Sequence, residues 1–155
     1  MTPAIDLLRK LGISHQLHAY EHDAKVASYG AEAAEKLGLD PAVVFKTLVV
    51  ETDAKLLAVA IVPVTSKLSM KLMARAVGAR KTAMADAKRV QNTTGYVLGG
   101  VSPLGQKRLL TTRIDASAEV LPQIHVSAGR RGLEIEIAPA ALAQCLDAAF
   151  ADLTA

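Results

Sequence analysis

Lys46 sits inside the run Val43-Val44-Phe45-Lys46-Thr47-Leu48-Val49-Val50, in which every residue except Lys46 and Thr47 is apolar and most are β-branched or aromatic. That composition predicts a strand. An ammonium carried into such a strand loses hydration, and without a partner or a wet cavity its pKa falls until it is neutral. Lys46 therefore either snorkels past a strand edge or lines a pocket. In a pocket it could form a Schiff base with a carbonyl, or place an anionic or acylated substrate electrostatically.

A second stretch with chemical potential is Tyr96-Val97-Leu98-Gly99-Gly100-Val101-Ser102-Pro103-Leu104-Gly105. A glycine pair and a proline among apolar residues require a sharp turn, which either connects strands or presents free amides to an oxyanion or phosphate. Ser102 is a poor candidate nucleophile, because Gly100-x-Ser102-x-x-Gly105 misses the G-x-S-x-G elbow and Pro103 follows directly. Leu133-Glu134-Ile135-Glu136-Ile137 has strict period two, so Glu134 and Glu136 share one strand face. If that face lines the cleft holding Lys46, one glutamate could balance the lysine charge. His15 and His18 have opposite strand parity and His125 stands alone in the sequence, so a metal cluster is not expected.

The elements that must position these residues follow from punctuation. Thr2 caps and Pro3 opens a first helix with an Ile5, Leu7, Leu8, Leu11 stripe, and Gly12 stops it. A strand is expected over 14–20, an alanine-rich helix over 31–38, and the lysine strand to about Val50. A turn at 52–55 leads into the apolar strand Leu56–Val62, ended by Pro63 and pairing antiparallel with the lysine strand. A helix over 68–77, a short strand over 80–85 and a helix capped by Asp86 come next. Strands around 109–114 and 123–127 precede the Gly129-Arg130-Arg131-Gly132 turn and the Glu134 strand. Pro139 then opens a last helix that packs Leu142, Leu146, Ala149 and Phe150. This order predicts an α+β (mixed α/β) fold, a largely antiparallel mixed sheet flanked by helices, as one domain over 1–155.

With 155 residues, 51% of them hydrophobic, the chain can bury one sizeable core. The single cysteine, Cys145, excludes an intrachain disulfide framework and points to the cytoplasm. There is no charged leader with an apolar segment behind it, and no apolar run approaches the ~20 residues that span a bilayer, so a soluble, intracellular protein is expected. The net charge of +3 conceals an asymmetry: from Ser66 to Arg113 there are ten basic residues against the single acid Asp86. Such a tract favours an anionic partner, nucleic acid or nucleotide, over a plain solvated face. Aromatics make up only 3% of the chain, which argues against stacking of successive single-stranded bases and for recognition of shape or an end.

Met1-Thr2-Pro3-Ala4, Tyr20-Glu21-His22-Asp23, Phe45-Lys46-Thr47-Leu48, Thr94-Gly95-Tyr96, the run from Gly99 through Lys107, and Arg131-Gly132-Leu133-Glu134 together cover nearly the whole chain. In these runs the sequence resembles the YbaK/EbsC family of bacterial aminoacyl-tRNA deacylases, related to the editing domain inserted in prolyl-tRNA synthetases. The resemblance implies that family's barrel-like fold and hydrolysis of cysteine mischarged onto proline tRNA. It implies an essential lysine at Lys46, with Tyr20, Tyr29, Thr47, Gly99, Gly100, Val101, Ser102, Pro103, Ser127 and Glu134 lining the substrate pocket. No cofactor or metal is expected. The partners implied are the acceptor end of Cys-tRNA(Pro) and prolyl-tRNA synthetase. Glu134 stands where the family has aspartate, Tyr29 near an expected phenylalanine, and Ser28 for an asparagine. These departures leave open another mischarged ester, such as alanyl, and a non-catalytic tRNA- or synthetase-binding module stays the rival reading.

The chemistry fits that reading. An aminoacyl ester is already activated, so its hydrolysis needs placement and oxyanion donors more than a strong enzyme nucleophile. The resemblance further implies that a cysteinyl substrate attacks its own ester with its thiol. Lys46 is then a positioning cation, and a Schiff-base role is unnecessary.

Overall fold

Thr2 and Gly12 delimit the first helix as their residue types require. In the computed structural model, which describes residues 1–25 and 29–155, the Thr2 side chain accepts from the Ile5 amide at the start of α1 (Pro3–Leu11). Gly12 ends that helix in the left-handed region at φ 66°. Strand β1 (Gln16–Ala19) is shorter than the expected run. Helix α2 (Tyr29–Leu37) and a 3-10 turn at Pro41–Val43 lead into β2 (Phe45–Thr52) and β3 (Leu57–Pro63). Next come α3 (Met70–Val77), β4 (Thr82–Met84) and α4 (Ala87–Thr94), the last capped by Asp86 as expected. The chain ends through β5 (Thr111–Asp115), β6 (Ile124–Ser127), β7 (Leu133–Ile137), α5 (Pro139–Leu146) and β8 (Ala149–Ala151).

The strands form two sheets, β1-β7-β6 and β4-β2-β3-β5-β8. Four of the six pairings are antiparallel, while β5 joins β3 and β8 joins β5 in parallel. Parallel neighbours need a crossover, which α3, β4 and α4 supply between β3 and β5. An isolated parallel bridge between Val44 and His125 links the sheets, which do not close into a barrel.

Alternation along β3 explains its almost unbroken apolar run. Val59 and Ile61 enter the main core with Ile5, Leu8, Ile114, Ile135 and Leu142, whereas Ala58, Ala60 and Val62 face a second core with Met73 of α3 and Leu153. A strand buried on both faces has no polar side to show. The same parity governs β2. Phe45 and Val49 join the main core and Val50 the second, so Lys46 belongs to the α3 side and Thr47 to the main-core side.

Two expected elements differ. The last helix does not extend to Phe150: Asp147 adopts a left-handed φ of 50°, the Ala148 amide donates to Ala143, and the chain leaves as β8. Buried Asp115 secures that exit by accepting from the Leu153 amide at 3.0 Å. Helix α3 starts at Met70, two residues later than expected, because Ser69 caps it and Leu68 pairs with Thr154 instead. No helix among the described residues is long and apolar enough to cross a membrane.

Candidate active site

Lys46 lines a cavity of about 250 Å³ over the start of β2. Phe45, Thr47 and Leu48 line it from the same strand, Val64 from just beyond β3, and Ser127 and Glu134 from the other sheet. The remaining wall comes from Tyr20, Gly30 of α2, the 98–101 loop, and Arg130 and Arg131. Lys46 is a pocket residue, the second of its two sequence readings.

Burial, and after it the charge of Lys67, lowers the Lys46 pKa. Among the described residues no carboxylate forms an ion pair with it. Glu134 shares the cavity but does not neutralise the lysine. Burial alone pushes its carboxyl up to about 8, so near neutral pH it holds a proton and can donate a hydrogen bond. Tyr20 is raised first by burial and then by Glu134, and its amide donates to the Gly132 carbonyl at 2.9 Å. The Thr47 hydroxyl is buried with no hydrogen-bond partner among the described residues. Such an atom is costly unless a ligand or water satisfies it.

The glycine loop turns tightly against this cavity. The Gly100 amide donates to the Val97 carbonyl at 3.0 Å, and Gly99 has φ 86° at the third position of the turn. Leu98 is not in the positive-φ region, which leaves type II and explains glycine at position 99. Among the described residues the Gly99 and Val101 amides have no acceptor, while Gly99 and Val101 both line the cavity. The Arg131 guanidinium donates to the Leu98 carbonyl at 3.1 Å and ties the loop to the 129–132 turn.

Three residues expected at the substrate surface lie behind it. Gly100 is buried with its Cα hydrogens toward Arg130, where an added Cβ would stand 3.3 Å from the Arg130 Cα. Ser102 is fully buried and its hydroxyl accepts from the Leu104 amide, and Pro103 is buried beside it. None of the three lines the cavity. They shape the loop from within, because a tight turn cannot expose successive side chains on one side. Ser127 does line the cavity, with its hydroxyl accepting from the Gly129 amide at 3.1 Å. Ser28 and the Tyr29 side chain lie outside the described residues.

Part of the basic tract is structural. Arg89 pairs with Glu51 at 2.7 Å, and Arg113 donates to the Ala76 and Thr112 carbonyls. The cations at the cavity are Lys46, Arg130 and Arg131, with the Lys67 charge felt by Lys46. His125 is not alone either. Cross-strand register puts His18, Glu134 and Ser127 in one row and Gln16, Glu136 and His125 in the next; Glu136 meets the two histidines and does not line the Lys46 cavity.

Residues 23–145 match the family described as the aminoacyl-tRNA editing domain. The chain belongs to this family. Over 121 residues the editing domain is 39% identical to a protein of Enterococcus faecalis provisionally named Cys-tRNA(Pro)/Cys-tRNA(Cys) deacylase EbsC, covering 78% of this chain and 74% of that one. Its fold is similar to a crystal structure described provisionally as a trans-editing enzyme for prolyl-tRNA synthetase, with TM-score 0.87, 21% identity, and 99% and 95% of the two chains covered. It is equally similar to a hypothetical protein, APE2540, with TM-score 0.88, 24% identity and 99% of each chain covered. At these identities the two structures establish the mixed α+β editing fold.

Several walls of the editing domain's cavity escape sequence reasoning. Gly30, Val64, Leu98, Arg130 and Arg131 line it, yet only the charged tip of the 129–132 turn carries a signal that could have been used. Gly30 and Val64 are brought together by packing: a Cβ on Gly30 would lie 2.3 Å from a Val64 methyl.

Proposed function

We propose that this editing domain is a free-standing deacylase that hydrolyses the ester of Cys-tRNA(Pro), with the substrate thiol as nucleophile. One observation carries the reading: the cavity combines an unpaired lysine and unpaired amides with no activated side-chain nucleophile among the described residues. No His or Cys lines it, the Ser127 hydroxyl is engaged by Gly129, and burial pushes Glu134 up to about 8, so near neutral pH it mostly holds its proton. A cysteinyl ester supplies what is missing. Its sulfur gives up its proton and attacks the ester carbonyl carbon. The carbon–sulfur bond forms, the bond to the ribose oxygen breaks, and that oxygen takes up a proton. Water then opens the released thiolactone to cysteine.

In this reaction the Gly99 and Val101 amides stabilise the developing oxyanion. Lys46 holds the terminal ribose, phosphate or aminoacyl group, and Tyr20, Thr47, Ser127 and Glu134 contact the substrate. Arg130 and Arg131 meet the acceptor-end phosphates, and prolyl-tRNA synthetase supplies the selection of proline tRNA that a small cavity lacks. The name carried by the E. faecalis relative supports the substrate.

Deacylation measured on cysteinyl and alanyl esters of tRNA(Pro), with and without prolyl-tRNA synthetase, tests the assignment. The cysteinyl ester is expected to be cleaved faster and the synthetase to accelerate it. Preference for the alanyl ester would overturn the assignment, and absence of cleavage of either would favour a binding module. Gly99→Ala places a side chain at φ 86°. It should cost about 1–2 kcal/mol of stability and lower turnover by about 10²-fold through displaced amides; a stability loss without a turnover loss would make the loop merely structural. Arg130→Ala should reduce the slope of log affinity for tRNA against log salt by about one, measured by filter binding.

A further inference from the structure

Outside the cavity, two imidazoles and a carboxylate converge on one face of the β1-β7-β6 sheet. His125 is 4% exposed, its Nδ1 is buried with no hydrogen-bond partner among the described residues, and its Nε2 lies 3.7 Å from Glu136 Oε1, too long for a hydrogen bond. The same carboxylate oxygen lies 2.8 Å from Nε2 of His18, whose ring centroid is 5.2 Å from that of His125. The three donor atoms lie within 4.8 Å of one another.

We propose that His18, His125 and Glu136 bind a divalent transition metal ion of the zinc(II) class. Ligand atoms held at ~2.0–2.1 Å around a tetrahedral ion are about 3.3 Å apart. The separations of 2.8 and 3.7 Å bracket that value. Two imidazoles and one carboxylate suit a borderline cation rather than the hard, oxygen-seeking ones. Each ligand comes from a different strand of one sheet, β1, β7 and β6, so register fixes their spacing before any ion arrives. His18 is half-buried, which leaves an entry path and room for water to complete the coordination. Binding displaces the hydrogen bond between His18 and Glu136 and clamps the edge strand β1 to β6 across β7. Tyr20 follows β1 directly, so the clamp also fixes one wall of the neighbouring cavity.

The test uses the full chain, stripped with chelator and titrated with cobalt(II) as a spectroscopic stand-in and with zinc(II) by calorimetry. One equivalent is expected to bind, with visible cobalt absorption and a raised Tm. His18→Gln, at a half-exposed position, and Glu136→Gln should each weaken binding by at least about tenfold, with the fold checked by circular dichroism. His15→Gln and His22→Gln should bind as the wild type does. No saturable one-equivalent binding, or wild-type affinity in folded His18→Gln, overturns the site. None of these readouts depends on deacylation.

Discussion

Lys46→Met is expected to lower the rate of cysteinyl-ester deacylation by about 10²–10³-fold, the usual loss when one preorganised charge or donor is removed from a reacting centre. Methionine keeps most of the apolar stem, so packing at the start of β2 survives. Stability should be unchanged or higher, because the variant no longer desolvates an ammonium that lacks an ion pair among the described residues. Single-turnover deacylation and urea unfolding, measured together, separate the two effects. Activity that depends on the charged ammonium should also fall on the alkaline side below pH 10.5, the ordinary value for lysine, since burial and Lys67 lower its pKa. A wild-type rate in Lys46→Met would remove Lys46 from the mechanism.

Glu134→Gln should abolish a large pH dependence of stability. In the folded protein the carboxyl is pushed up to about 8 by burial, against 4.5 in the unfolded chain. Between those values the folded state binds the extra proton, so the stability Glu134 contributes is complete below pH 4.5 and is lost as pH rises through about 8. That interval corresponds to at most ~5 kcal/mol. Glutamine keeps the size and the donor but cannot ionise. Urea unfolding from pH 5 to 9 with chelator present should show the wild type weakening and the variant holding level, and parallel curves would contradict a buried, protonated Glu134. The same protonation matters for chemistry, since a neutral carboxyl can donate a hydrogen bond to a substrate.

What the sequence reveals about this protein is mostly local. Caps at Thr2 and Asp86 and the stop at Gly12 act within a few residues, and the helices they bound are present. The placement of Lys46 was legible because burying the strand around it leaves an ammonium few options. Contacts made across the sheets were not. His15 falls before β1, and only register between β1, β7 and β6 brings His18, His125 and Glu136 together. Glu134 and Glu136 share a face, yet one points into the cavity and the other meets the histidines. Contiguity misleads in the glycine loop as well, where Gly99 and Val101 reach the cavity while Gly100, Ser102 and Pro103 support it from behind. The exit into β8 depends on a left-handed Asp147, which helical spacing through Ala149 and Phe150 conceals.

In this mechanism the cavity places the ester and the substrate provides the nucleophile. Comparing single-turnover deacylation of cysteinyl and seryl esters on the same tRNA(Pro) tests it most directly, because the two differ by one atom, sulfur for oxygen. Cysteine is expected to be released faster by at least about 10²-fold, since the thiol is far more readily ionised and more nucleophilic than a hydroxyl. Equal rates for the two esters would contradict it.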